Sequence, residues 1–156
     1  MVLAVIDVAR IYTTAMTVES AAREAADYGT FGSQRWNAAS YASVTVPNMQ
    51  RRACVATKNL PEYIGPDDSC TNPAMTYELS GDKGATWHSA PADVNPVCDD
   101  ETRNPPCWLR VTLTYNFRLI APLGIDVFNV HIGFPSTIAI VRSSTFAMTD
   151  LTVPPP

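Results

Sequence analysis

The four cysteines, at positions 54, 70, 98 and 107, have the most definite chemistry open to them in this chain. An even number of thiols, the last three in Pro-, Asp- or Asn-rich stretches, points to oxidation in pairs, as in proteins held outside the cytoplasm. Four thiols allow three pairings. Cys54–Cys70 and Cys98–Cys107 are favoured, because each closes a short local loop, stabilising the fold by about 2–3 kcal/mol in the chain-entropy account. A zinc site of four thiolates is the rival. It is normally built from paired CxxC knuckles, and the sequence has none.

Other chemistry is thinner. Asp67-Asp68 and Asp99-Asp100-Glu101 offer carboxylate oxygens of the kind Ca²⁺ prefers, but without EF-hand spacing. Solvated loops beside the disulfides account for them better. His88 and His131 are the only histidines, and no Gly-x-Ser-x-Gly, HExxH, P-loop or GxGxxG pattern accompanies them. The reading is therefore not an enzyme, with no metal or other cofactor and no small-molecule substrate. Trp36, Trp87 and Trp108 could stack on a ligand such as a sugar, but such residues are more often partly buried core or subunit contacts.

Asp7 and Arg10 are a different case. They stand three apart, a helical pairing distance, inside the apolar run MVLAVIDVARIY. An exposed pair of this kind contributes only about 0.3–0.5 kcal/mol. Placed against apolar neighbours, the two charges need each other, within one chain or between subunits.

The elements that must position these residues follow from periodicity. Residues 2–29 predict one long helix, about 42 Å at the α-helical rise. Its front is apolar nearly all round, and its rear, TTAMTVESAAREAADY, has one apolar stripe and one charged face. Gly29 and Gly32 are C-cap and turn candidates. Residues 40–46, SYASVTV, alternate like a short strand ended by Pro47, and Asn48 is placed to cap a short second helix over 49–60. Residues 61–73 are irregular. From Ala74 the period changes to two, and MTYELS and ATWHSA around Gly81 to Gly84 read as a hairpin. Residues 107–119, CWLRVTLTYNFRL, are the clearest strand, with Leu109, Val111, Leu113 and Tyr115 on one face. An apolar connection with turns leads to a last strand in STIAIVRSSTFAMTD. The expectation is an α+β fold: the second half of the long helix packed on an antiparallel sheet of about four strands, a short second helix, and a protruding front. The division is 1–29 as an assembly or anchor helix and 30–156 as a disulfide-stapled globular domain.

Composition narrows the partners. The chain has 156 residues, a net charge of −4 and no basic cluster beyond Arg51-Arg52, which argues against a nucleic-acid surface. No stretch reaches the roughly 20 apolar residues of a bilayer span. The N-terminus lacks the basic start and small-residue cleavage site of a signal peptide. The expectation is a processed precursor or a chain that starts inside a longer apolar helix.

The residues Ile6-Asp7-Val8-Ala9-Arg10-Ile11-Tyr12, followed by Ala21-Ala22-Arg23-Glu24-Ala25-Ala26-Asp27-Tyr28, resemble the TadE-like family, pilin-like proteins of the tight-adherence pilus systems. Val111 to Tyr115, leading to Ala121-Pro122-Leu123, and Ser143 to Met148 resemble that family's last two strands. The likeness covers about half of the chain, at its two ends. Val8-Ala9 stand where the family has Phe-Gly, and Val5 stands where a type IV pilin carries Glu. The resemblance implies a structural subunit of a cell-surface filament, assembled through its apolar helix. Val2, Leu3, Val5, Ile6, Asp7, Val8, Arg10, Ile11, Tyr12, Met16 and Val18 would form the assembly surface. Partners would be further copies in a helical filament and other pilus subunits, with the inner membrane holding the chain before assembly and the cell surface as its destination. The alternatives are a membrane-anchored assembly factor that never polymerises and a secreted adhesin or binding domain.

Overall fold

The computed structural model describes residues 2–31, 36, 37, 40–95, 97, 98, 105–120, 124–127, 130–133 and 136–148; for 2–4, 124–127 and 130–133 it describes the backbone alone. Helix α1 spans Val2–Thr30. A π-helical turn at Tyr41–Thr45 runs directly into α2, Val46–Thr57. Strands β1 (Ala74–Ser80), β2 (Trp108–Arg118) and β5 (Thr137–Ala147) form an antiparallel sheet in the order β1-β2-β5. Strands β3 (Gly124–Val127) and β4 (Val130–Gly133) pair in a separate two-stranded ribbon, inside the stretch expected to be a connection.

The central strand is built on strict alternation. Leu109, Val111, Leu113, Tyr115 and Phe117 all point to one side and are fully buried. Helix α1 covers that side with Val18, Ala21, Ala22, Ala25 and Ala26, all inaccessible. Alanine combines high helix propensity with a short side chain, so the helix lies close to the sheet. At Gly29 the approach is closest. A Cβ there would collide with Leu109 Cδ2 and come within 2.8 Å of Met49 Sδ. Gly29 is thus helical, and its function is close packing rather than capping.

Three expectations are corrected. Among the described residues the sheet has three strands, not about four. The turn after β1 does form, but it is knotted by side chains: the Ser80 hydroxyl accepts the Gly84 N–H at 2.7 Å, and the Asp82 carboxylate accepts the Thr86 N–H at 2.9 Å. The chain returns to β1 at one bridge, Leu79 with His88, and then turns at Pro91–Asp93. The expected strand over 40–46 is instead helical from Tyr41, with Ser40 at the N-cap. Tyr41, Thr45, Met49, Ala53 and Thr57 recur every four residues on the inner face of one continuous helical run, and this stripe outweighs a short alternation. Pro47 falls in the first turn of α2, where a missing N–H is tolerated, and Asn48 lies inside that helix. Finally, α1 packs on the sheet well forward of its second half: Asp7, Thr14 and Ala15 are buried and Ile11 is half-buried against the core.

Both favoured disulfides are present, Cys54–Cys70 and Cys98–Cys107, and no cysteine is free. The first ties α2 to the irregular loop before β1. The same loop is held to the sheet by polar groups. The Tyr115 hydroxyl accepts the Glu62 N–H at 2.8 Å, and the Asn72 side chain bonds both backbone groups of Asn116 and the Glu62 carbonyl.

Candidate functional site

From Val5 to Gly29, helix α1 has two unlike faces. The inward one carries Asp7, Ile11, Thr14, Ala15, Val18, Ala21, Ala22, Ala25, Ala26 and Gly29. On the outward one, Val5 is 68%, Val8 65%, Tyr12 66% and Met16 52% exposed. These four follow one another at intervals of three, four and four, so they form a single ridge. Ile6 flanks it at 42% exposure, and Ala9 and Thr13 lie between. No charged side chain stands on this stretch of the face. After Met16 the same face turns polar with Ser20, Arg23, Glu24 and Asp27, and Arg23 pairs with Glu19 four residues earlier.

The residues expected on the assembly surface thus divide. Val5, Ile6, Val8, Tyr12 and Met16 are exposed together. Val18 is taken up entirely by the core of its own chain, and Ile11 largely so. The side chains of Val2 and Leu3 lie outside the described residues. Asp7 is only 4% exposed and turns away from the ridge. Its Oδ1 accepts Arg10 Nη1 at 3.0 Å, and its two oxygens accept the Ile120 N–H at 3.2 and 3.1 Å. The Arg10 guanidinium lies over the Phe117 ring, 4.8 Å from its centroid. The Asp7–Arg10 pair is therefore made within one chain, at the point where α1 crosses the end of β2.

The participation of Ile120 is not visible in a sequence pattern, because a backbone N–H carries no signature. The inward direction of Asp7 does leave a trace. Residues 7, 14, 18, 21 and 25 fall at helical spacing, so Asp7 shares its face with alanines that must meet the sheet.

The other candidates are dispersed. Trp36 is fully buried, and its Nε1–H donates to the Gly29 carbonyl at 2.7 Å. Trp87 is covered by the Arg110 guanidinium at 4.1 Å, which in turn forms a two-point pair with Glu78. Trp108 is half-buried. His88 lines a depression of about 200 Å³ with Asp82 and Asp93. There the Thr86 hydroxyl, the Thr86 N–H and the Ser80 hydroxyl hold the Asp82 carboxyl well below the usual carboxylate range, so its oxygens are already engaged. The His131 side chain and Asp99-Asp100-Glu101 lie outside the described residues. Asp67 pairs with Lys58 at 3.6 Å. Among the described residues no three His, Cys, Asp or Glu side chains gather around a point where a metal would sit. A shallow groove of about 330 Å³ between α1 and α2 is lined by Glu24, Tyr28, Asn48, Arg51, Arg52 and Val55. There Arg52 lies over Tyr28 at 4.7 Å and faces Glu24 at 3.6 Å.

No described helix is long and apolar enough to cross a membrane. Comparison of the chain with family models, with curated proteins and with solved structures finds no match.

Proposed function

We propose that this chain is a pilin-like structural subunit of a cell-surface filament, joined to further copies of itself through the outward ridge of α1. The observation that carries the reading is that ridge: four large apolar side chains in line, uninterrupted by charge, on a helix whose opposite face is already occupied. Exposed apolar patches of this contiguity mark contact surfaces. Two disulfides suit an oxidising setting such as the cell exterior, and the resemblance of the two chain ends to TadE-like proteins points the same way.

The magnitudes favour several neighbours over one. Covering the ridge and Ile6 would contribute about 1–2 kcal/mol for each side chain, in proportion to the area still exposed. That gives about 5–10 kcal/mol in all, against about 4–15 kcal/mol for immobilising a subunit. A single helix pair is near balance. A polymer, where each copy meets more than one neighbour, moves the sum to the favourable side.

The test is Val8→Asp in the full chain. Val8 makes little contact with its own fold, so the free subunit should keep its melting temperature, while filaments seen by electron microscopy or sedimentation disappear. Filaments that persist with Val8→Asp and Tyr12→Asp combined rule the reading out.

A further inference from the structure

We infer that Asp7 is a latch that holds the front of α1 on its own sheet and so restricts neighbours to the outward ridge. Three contacts converge on one buried carboxylate: the Arg10 guanidinium and, on both oxygens, the N–H of Ile120 just past the end of β2. Arg10 is fixed from its other side by the Phe117 ring. Among the described residues, apolar contacts between the first turns of α1 and the body are small or partial, with Ala15 and the half-buried Ile11 as the nearest anchors. A helix front held this lightly by apolar contact would fray. A carboxylate that accepts hydrogen bonds from a guanidinium and a backbone amide holds it in one orientation, because charge-assisted bonds are the strong ones.

The consequence for assembly rests on the filament reading above. A front free on all sides would meet neighbours all round. Among the described side chains, a latched front offers neighbours the ridge of Val5, Val8, Tyr12 and Met16, with Ile6 beside it. The latch itself belongs to the free subunit and is tested there.

Amide hydrogen exchange on the full chain decides it, with Asp7→Ala and Asp7→Asn compared to the parent. Asp7→Ala should speed exchange of the Ile120 N–H and of the α1 amides before Thr13 by about tenfold or more, the loss expected for charge-assisted bonds. The amides of Leu109 to Tyr115 should stay within about twofold, which separates local release from general destabilisation. Asp7→Asn keeps an acceptor and the side-chain shape, so it should fall between. If Asp7→Ala does not fold, Asp7→Asn carries the same comparison. Unchanged exchange at Ile120 in a folded variant, or acceleration spread evenly over the sheet, overturns the latch. Neither result bears on Val8→Asp, so the latch and the filament fail separately.

Discussion

Replacing Gly29 with alanine sets two effects of known sign against each other. Gly29 lies in the last turn of α1, and exchanging a helical glycine for alanine gains up to about 1 kcal/mol from backbone entropy. The added methyl, however, has nowhere to go. It would collide with Leu109 Cδ2 and approach Met49 Sδ and Cε to 2.8 and 3.2 Å. Both side chains are flexible at the tip, but both are fully buried, and Leu109 sits on the central strand. Overpacking of a closed core costs about 1–3 kcal/mol. The methionine yields more readily than the leucine, so the net result should be a loss of about 1–2 kcal/mol. For a chain of this length, that lowers the melting temperature by about 2–8 °C. Calorimetry of Gly29→Ala, Leu109→Val and the double variant measures it. Shortening Leu109 removes the colliding atom, so the double variant should be more stable than the two single losses added together, by at least about 0.5 kcal/mol. Strict additivity, or a Gly29→Ala variant that melts at or above the parent, refutes the close-approach argument.

Two further outcomes follow from the loops. Replacing both Cys54 and Cys70 with alanine should lower stability by about 3 kcal/mol, and replacing Cys98 and Cys107 by about 2.5 kcal/mol, since the loops span 16 and 9 residues; urea midpoints that reverse this order contradict the loop-entropy account. Asp82 should titrate below the ordinary carboxylate range in a carbon-detected NMR titration, because Thr86 and Ser80 hydrogen-bond its charged form. A carboxyl depressed in the folded state adds stability above its unfolded value of about 3.9 and loses it as pH falls below that. The fall in melting temperature between pH 5 and pH 2 should therefore be shallower in Asp82→Asn, and by a small amount, because the loop is exposed to solvent.

What the sequence revealed and what it hid divide along physical lines. The long helix, the β2 alternation and the two disulfides were legible, because each rests on a local pattern: a 3.6-residue period, a two-residue period, and cysteines that close short loops. The errors arose where a local pattern competed with a distant one. SYASVTV alternates over seven residues, but Tyr41 and Thr45 belong to a stripe that continues through Met49 and Ala53 on α2. ATWHSA alternates too, but Asp82 closes the preceding turn on Thr86, and Trp87 is drawn over Arg110 of β2. Neither Arg110 nor its partner Glu78 advertises that meeting in one dimension. In the candidate site, the apolar residues of α1 were legible as a set but not as two faces. The division needed the position of the sheet, and only Asp7, in step with the alanines, announced it.

The same two faces explain how α1 keeps its register. Four of its inward residues are alanines in adjacent pairs, Ala21-Ala22 and Ala25-Ala26, and a row of methyl groups is nearly smooth. A helix lying on β2 and β5 by such a row alone gains about the same burial after sliding one turn. Asp7 and Gly29 remove that freedom from opposite ends, 22 residues and about 33 Å apart. A slide of one turn that brings Ala25 to the place of Gly29 sets a methyl group against Leu109. A slide in either direction takes Asp7 away from the Ile120 N–H and Arg10 away from the Phe117 ring, so the pair keeps its mutual contact but loses its hold on the body, which is unfavourable. The glycine is a steric stop and the aspartate an electrostatic one. An isosteric apolar residue at position 7 would pack about as well, but it would specify nothing. With both stops in place, the outward ridge of Val5, Val8, Tyr12 and Met16 has a fixed position relative to the sheet, which is what a repeating contact between identical copies demands.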